Sequence, residues 1–523
     1  VAEIVIIVGL VATVTAVSAM ARRLGILAPI LLVLVGIVAS YIPGVPSIQL
    51  HPDLVLMGFL PLLLYAAAIE TSVPAFRLEL RAILLLSVGL VLVTAICVGV
   101  ILHEVVPGLP LSAAFALGAV VAPPDAVAAT AIARRVGLPR RMVTILEGES
   151  LVNDATALVT LRVAVAAALG ETVTATEIAF DALLAVVGGI GIGLVVAWGV
   201  AQMHRRITDP LIGNAVSLLT PFVAYLPAEL IDSSGVVAVV VCGLYLGHHW
   251  SSLTSATSRL QMSAVWQMTR FLLEGVVFLL VGLQLREIIS NLTIPTSTLI
   301  SATAAVVGTV LVVRFVVVYS ATYLMRLVPW KQDSVPPLSI PTVIGWAGMR
   351  GVVTLAAAFT LPVAEADGPF PYRSLLIWLA FAVIAATLVL QGSTLPTVIR
   401  WAKVPPDDPR QDALAEAVIQ HEARQAALLR LDEVAGDAPT VVVEQLRQAV
   451  EKQANHAWER LGRPRQENPS NAYRRLRREM LQAEREVFLR AHAQGRIPES
   501  VLHRVQREMD LREALLYREE GER

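Results

Sequence analysis

Charge is scarce in this sequence. Asp, Glu, Lys and Arg make up 16% of its 523 residues, against about 25% in a soluble globular protein. Cysteine is scarcer still. Cys97 and Cys242 sit deep in apolar runs without CxxC partners, which argues against a disulfide framework and against a zinc site. Lysine is almost missing, at 3 residues against 38 Arg, and the net charge is -1. No strongly basic domain exists, so a nucleic-acid partner is not expected. No charged n-region with a cleavage site precedes the first apolar run, so no cleaved signal peptide is expected.

What the chain has instead is apolar length. Hydrophobic residues reach 56% and the mean hydropathy is +0.68, which points to a polytopic membrane protein embedded among lipids. The few charges are unevenly placed. Residues 404–523 carry 42 Asp, Glu, Lys and Arg in 120 residues, whereas residues 1–403 carry 41. Two domains follow: a membrane body over 1–403 and a cytoplasmic helical tail over 404–523.

A bilayer core takes about 20 apolar residues per helix. Thirteen spans fit the body, over roughly 3–21, 25–42, 54–71, 82–106, 111–133, 142–169, 178–203, 211–231, 234–250, 263–285, 296–326, 338–361 and 374–401. Alternate loops differ in basic residues. One set carries thirteen, from Arg22 and Arg23 to Arg326 and Lys331; the other carries only Arg286 and Arg373. The positive-inside rule puts the N-terminus outside and the tail in the cytoplasm. An odd count permits two inverted repeats of six spans with a connecting seventh. The fifth member of each repeat is interrupted. Span 5 contains Pro123-Pro124, and span 12 contains Pro341, Gly345, Gly348 and Gly351. One Pro or Gly in a span is usually a kink, but matched interruptions in the two halves of a transporter mark a midplane ion site.

Each charge within a span costs at least about 2.5–3.5 kcal/mol on insertion scales. Among the ionisable residues in or at the ends of spans, the candidates are Glu70, Asp125, Glu149, Asp154, Arg162, Arg270, Glu274, Arg314 and Arg350. Asp125 follows the Pro-Pro break. Asp154 follows Asn153 in EGESLVNDATALV. Ser150 and Asp154 are four apart and share a helix face. Glu149 lies about 140° round the helix from Asp154 and needs its own partner; a buried pair with Arg314 would lower both desolvation costs. Arg270 and Glu274 are spaced as an i,i+4 pair. Glu70, at the end of its span, reaches water, and Arg162 is expected to find a partner inside the bundle. Alkali cations take oxygen ligands. Asp154, Asp125, the Ser150 hydroxyl, the Asn153 carbonyl and the backbone at Pro124 supply them. The GGIGIG run at 188–193 lies in an apolar helix, where small residues let helices approach closely.

These stretches resemble the monovalent cation:proton antiporter-1 family, the sodium/proton exchangers. The resemblance covers about residues 5–401. It rests on the Asn-Asp pair in EGESLVNDATALV at 147–159, PDAVA at 124–128, FLLVGLQL at 278–285 and GMRGVVTLA at 348–356. It implies that Asp154 is the ion- and proton-binding carboxylate, with Asn153 its structural neighbour and Ser150 and Asp125 completing a Na+ site. It further implies that Glu149 pairs with Arg314, that Arg350 stabilises the crossing of the broken helices, and that the protein is a homodimer. The sequence departs from many relatives in one place. Pro124-Asp125-Ala126 stands where they have Thr-Asp-Pro, so the threonine oxygen is missing.

A carboxylate taken out of water holds a proton or a cation in preference to a bare charge. One site that takes either, but not both, is an exchanger. With Asn153 rather than a second Asp beside Asp154, exchange is expected to be one-for-one and electroneutral. No enzyme motif and no cofactor site appears, and the transported species are H+ and Na+, with Li+ or K+ as alternatives. Spans 4–6 and 11–13 are expected to form a moving core, and spans 1–3 and 7–10 a scaffold and dimer contact, in the cell membrane. A K+/H+ antiporter of the same fold, a proton-translocating subunit and a cation channel are the rival readings. In the tail, Pro405 to Pro409 marks a break, followed by helical patterns at about 410–434, 439–461, 470–494 and 498–518. Val441, Leu446, Val450 and Trp458 give the second of these an apolar stripe. A small helical bundle, with a regulatory or dimer-bridging role, is expected there.

Overall fold

The computed structural model describes residues 2–43, 45, 53–170, 174–292, 294–324, 337–362, 370–436, 438–459, 469–494 and 496–518. Arg326 and Lys331 of the loop bias lie outside the described residues. The described residues form helices and no strands. They fall into two compact units, Val1–Pro406 and Asp407–Arg523.

The first unit opens with α1 (Ala2–Leu24) and α2 (Ala28–Ser40). α3 (Leu54–Glu70), the short α4 (Val73–Leu78) and α5 (Leu80–Val105) follow. Next come α6 (Leu111–Val121), α7 (Ala126–Val136) and α8 (Arg140–Ala168). α9 (Ala175–Arg206), α10 (Pro210–Leu230), α11 (Gly235–Leu253) and α12 (Ala256–Leu283) form a run of long helices. α13 (Leu285–Ser290), α14 (Thr296–Leu324), α15 (Ser339–Trp346), α16 (Val352–Phe359) and α17 (Arg373–Ala402) complete the unit.

Local chemistry sets several of these ends. Thr174 and Glu177 bond each other's backbone N–H groups in a capping box that opens α9. The side chains of Asp209, Ser234 and Ser255 accept from N–H groups in the first turns of α10, α11 and α12, which satisfies donors that a helix start leaves unpaired.

Eight helices among the described residues are long and apolar enough to cross a membrane: those containing Ile4–Leu24, Leu80–Val105, Arg140–Ala168, Thr176–Arg206, Pro210–Leu230, Gly235–Leu253, Thr296–Tyr323 and Arg373–Ala402. α2, α3 and α6 are apolar but shorter. α12 is long but more polar, with Arg259, Arg270 and Glu274 along it. Large apolar side chains stay exposed on α1 (Ile4, Val8), α9 (Phe180, Val195, Trp198) and α14 (Val312, Val316). A surface of that kind suits lipid and not water.

Two apolar clusters fill the interior. One joins side chains of α1, α2, α5–α8 and α12–α17. The other joins α3 and α9–α11 to the first half of α12. α8 feeds both: Ile145, Leu146 and Leu161 enter the first, and Leu151 and Ala155 the second. Small residues allow the closest approaches. A methyl on Gly193 of α9 would meet the Ala238 carbonyl of α11 at 2.6 Å, and one on Gly189 would meet the Ser234 carbonyl at 2.7 Å. The glycine run at 188–193 is thus a packing face.

The second unit contains α18 (Pro409–Val434), α19 (Thr440–Glu459), α20 (Pro469–Ala493) and α21 (Glu499–Arg518). They pair as α18 with α19 and α20 with α21. Among its described residues the buried apolar side chains are Ala417, Leu481, Leu502 and Met509. Val441 and Leu446, the start of the expected apolar stripe, are exposed.

Candidate functional site

The chain leaves helical geometry twice inside otherwise apolar segments, at 122–125 between α6 and α7 and at 347–351 between α15 and α16. Proline and glycine account for both. Pro123 and Pro124 lack backbone donors. Gly348 and Gly351 leave room that other residues need: a methyl on Gly348 would strike the Arg314 side chain, and one on Gly351 would strike the Asp125 carboxylate. The two interruptions cross, and the Asp125 N–H donates to the Met349 carbonyl at 2.7 Å.

A broken helix exposes unpaired carbonyls at one end and unpaired N–H groups at the other, with partial negative and positive charge respectively. Arg350 takes the carbonyl end. Its guanidinium donates to the Val121 carbonyl at 2.9 Å, to the Ala122 carbonyl at 3.1 Å and to the Gly348 carbonyl. Its backbone N–H donates to the Thr387 hydroxyl at 3.0 Å. Asp125 takes the other end. It directly precedes α7 and its carboxylate lies over Gly351, the residue before α16. A carboxylate there is favoured by the helix N-termini.

α8 brings the remaining groups. Asn153 is fully buried, and its side-chain amide donates to the Pro124 carbonyl at 2.7 Å, tying α8 to the break. Glu149 points away from Asp154. Arg314 of α14 donates to both of its oxygens, at 2.7 and 3.0 Å, and also to the Ile344 carbonyl at 3.2 Å from two nitrogens. Both side chains of the pair are 1% exposed. Asp154 is buried as well, with 7% exposure.

A cavity of about 90 Å³ runs up to Asp154. Asp125, Pro124, Ser150, Glu147 and Thr354 line it, together with Arg270 and Glu274 of α12 and apolar residues of α3. It lies on the side of Asp154 where α8 begins. A cavity of about 10–15 Å³ holds one water, so the space admits a partly hydrated alkali ion. On the other side of Asp154 a hollow of about 10 Å³ is lined by Ala157, Leu158, Leu161, Val120, Val353 and Ala357. The site therefore has a polar approach on one side and an aliphatic barrier on the other.

Residues 9–401 match the family model described as sodium/hydrogen exchanger, transmembrane. The chain belongs to this family. As a sodium/hydrogen exchanger it is a membrane-embedded cation:proton antiporter, a secondary transporter and not an enzyme. It is 37% identical to an uncharacterized Na(+)/H(+) exchanger of Mycobacterium tuberculosis, over 98% of this chain and 96% of that one. It is 31% identical to a sodium, potassium, lithium and rubidium/H(+) antiporter of Bacillus subtilis, over 96% of this chain and 77% of that one. Its fold is similar to that of the sodium proton antiporter MjNhaP1 from Methanocaldococcus jannaschii. That match has a TM-score of 0.59 at 19% identity and covers 76% of this chain and 99% of the other.

Several residues of the exchanger's site carry no signal in the sequence. Thr387 of α17 and Thr354 of α16 are ordinary polar residues in apolar helices, and only the fold brings them to Arg350 and to the cavity. Arg270 pairs with Glu274 at 2.8 Å and also with Glu70 at 3.0 Å, a partner 200 positions away. Glu70 is 40% exposed, so it reaches water while pairing. Arg162 departs from expectation. Its partner is Glu229 of α10 at 2.8 Å, but its side chain is 57% exposed, so the pair sits at the edge of the bundle and not inside it. Arg162 lies two turns beyond Asp154 on α8, and a long side chain there can reach water.

Proposed function

We propose that this exchanger moves cytoplasmic Na+ outward against H+, one for one, by competition of the two at Asp154. The observation that carries this reading is the shared cavity. Asp154 and Asp125 meet in it with the Ser150 side chain and the Pro124 segment, all oxygen-bearing groups of the kind a hard alkali cation takes, and Glu147 and Glu274 also line it. Asn153 positions the break through Pro124 and adds no titratable group. Glu149 is committed to Arg314 and does not face the cavity. One exchangeable carboxylate proton per cation makes the cycle electroneutral. The names of the relatives in M. tuberculosis and B. subtilis favour Na+ and leave room for Li+ and K+.

The arrangement in the membrane has thirteen crossings: the eight long apolar helices, with α2, α3, α12, the α6–α7 pair and the α15–α16 pair supplying the rest. Two inverted repeats of six place the interrupted pairs at matching positions, the N-terminus outside, and the tail unit in the cytoplasm of a cell-membrane homodimer. The start of α8, with Arg140 and Arg141, is then cytoplasmic, and the cavity faces that side. The core (α5–α8 and α14–α17) moves against the scaffold (α1–α3 and α9–α12) to expose Asp154 alternately.

The test is purified protein in proteoliposomes, with Na+, Li+ and K+ supplied in turn. Asp154→Asn should abolish cation-driven proton flux while the protein stays folded, and retained exchange would sink the assignment. Asp125→Asn should raise the apparent KM for the cation. In the unmodified protein, lowering pH should raise that KM without lowering the maximal rate, because protons and cations compete for one carboxylate. A pH-independent KM contradicts competition.

A further inference from the structure

The side of Asp154 away from the cavity is closed by little. Ala157, Leu158 and Leu161 of α8 meet Val120, Val353 and Ala357 around the 10 Å³ hollow. Just past this layer, Arg162 spans from α8 to Glu229 of α10 at 2.8 Å. The two helices have different allegiances. α8 carries Asp154 and is tied to the break through Asn153 and Pro124. α10 packs in the second apolar cluster with α11 and α3.

The two ends of this ion pair are held differently. Glu229 is anchored, because its other carboxylate oxygen accepts from the Gly235 N–H at 3.0 Å at the start of α11. Arg162 leaves a helix that faces both clusters, and its side chain is 57% exposed six residues before the end of α8, where a long arginine can reach the aqueous interface. An ion pair with one exposed member near a helix end is cheap to break and to remake. An interaction made in only one of two states biases the equilibrium by what it is worth there. A strong buried pair would lock the seam, whereas a weak exposed one allows turnover.

We infer that the Arg162–Glu229 pair is a latch across the core–scaffold seam. It holds the aliphatic layer closed over Asp154, and it opens when the site turns to the side where α8 ends. This rests on the alternating-access reading above. Neither residue touches the transported ion; both are positioning residues.

The experiment uses the full chain in proteoliposomes, with Cys97→Ala and Cys242→Ala as background and Leu161→Cys as reporter. A membrane-impermeant maleimide is applied from the side on which α8 ends. Arg162→Gln and Glu229→Gln are the informative changes, because the amide oxygen introduced at 229 still accepts from Gly235. Each should raise the labelling rate about two- to fivefold, the range expected for an exposed pair. The double change should add nothing further, and the charge-exchanged Arg162→Glu, Glu229→Arg protein should return toward the background rate. Unchanged labelling in both single variants, or an additive rise in the double, overturns the latch. The background protein itself should label faster when a Na+ gradient drives turnover. If it does not, alternating access fails and the latch with it. If it does while the variants match it, the latch alone fails.

Discussion

Arg314 and Glu149 are both sealed from water, and each alone would be an expensive charge in a membrane. Together they form two parallel hydrogen bonds, and the Ile344 carbonyl takes further donors of Arg314. The pair is thus nearly saturated, which is the condition under which a buried ion pair is tolerable. Arg314→Ala leaves Glu149 charged and unpartnered and should cost about 3–5 kcal/mol of stability, read as a large fall in Tm of the detergent-purified protein. Arg270→Ala should cost much less, since Arg270, Glu70 and Glu274 are each partly solvated. Equal losses from the two changes would contradict this ranking. The position of Glu149 on α8 was legible from the helical repeat. Its distance from Arg314, 165 residues along the chain, was readable only as two charges in need of each other.

At the scale of elements, the crossing of the two interrupted helices gathers the candidate site. Four helix ends meet there, and charges of opposite sign sort themselves among them: Arg350 on carbonyls, Asp125 by N-termini. Gly351 is what lets the Asp125 carboxylate come so close to the start of α16. Gly351→Ala should push that carboxylate away and weaken cation binding by about tenfold, which corresponds to about 1.4 kcal/mol. The readout is the apparent KM for Na+ in proteoliposomes, set against an unchanged Tm. A normal KM would show that Asp125 is only a helix-end residue. The interruptions themselves were visible as Pro and Gly in apolar runs. Their contact, from the Asp125 N–H to the Met349 carbonyl, was not visible, because no local rule says which two breaks in a chain will touch.

On the scale of the whole molecule, the chain is two units with different surfaces. The first has its own apolar interior and a lipid-compatible exterior. Deleting 407–523 should leave cation-driven proton flux intact and shift its dependence on pH, as expected of a regulatory tail. Flux against pH, measured for the full and shortened chains, decides this; superimposable profiles remove the regulatory role. Among the described residues of the second unit, Val441 and Leu446 stay exposed.

Composition and order of residues determined a great deal unaided. Apolar run length, loop charge, the Pro-Pro and Gly interruptions and the Asn153-Asp154 pair are local features. They act through local physics: the cost of charge in lipid, the missing donor of proline, the 3.6-residue repeat. These were enough for the fold class and for the carboxylates to watch. Tertiary structure alone decided which distant groups meet. It brought Thr387 to Arg350, Glu70 to Arg270 and Glu229 to Arg162, and it put the polar cavity on one side of Asp154 and the aliphatic layer on the other. Such pairings depend on helix packing summed over many weak contacts, and a charge in a sequence shows that it needs a partner without showing which.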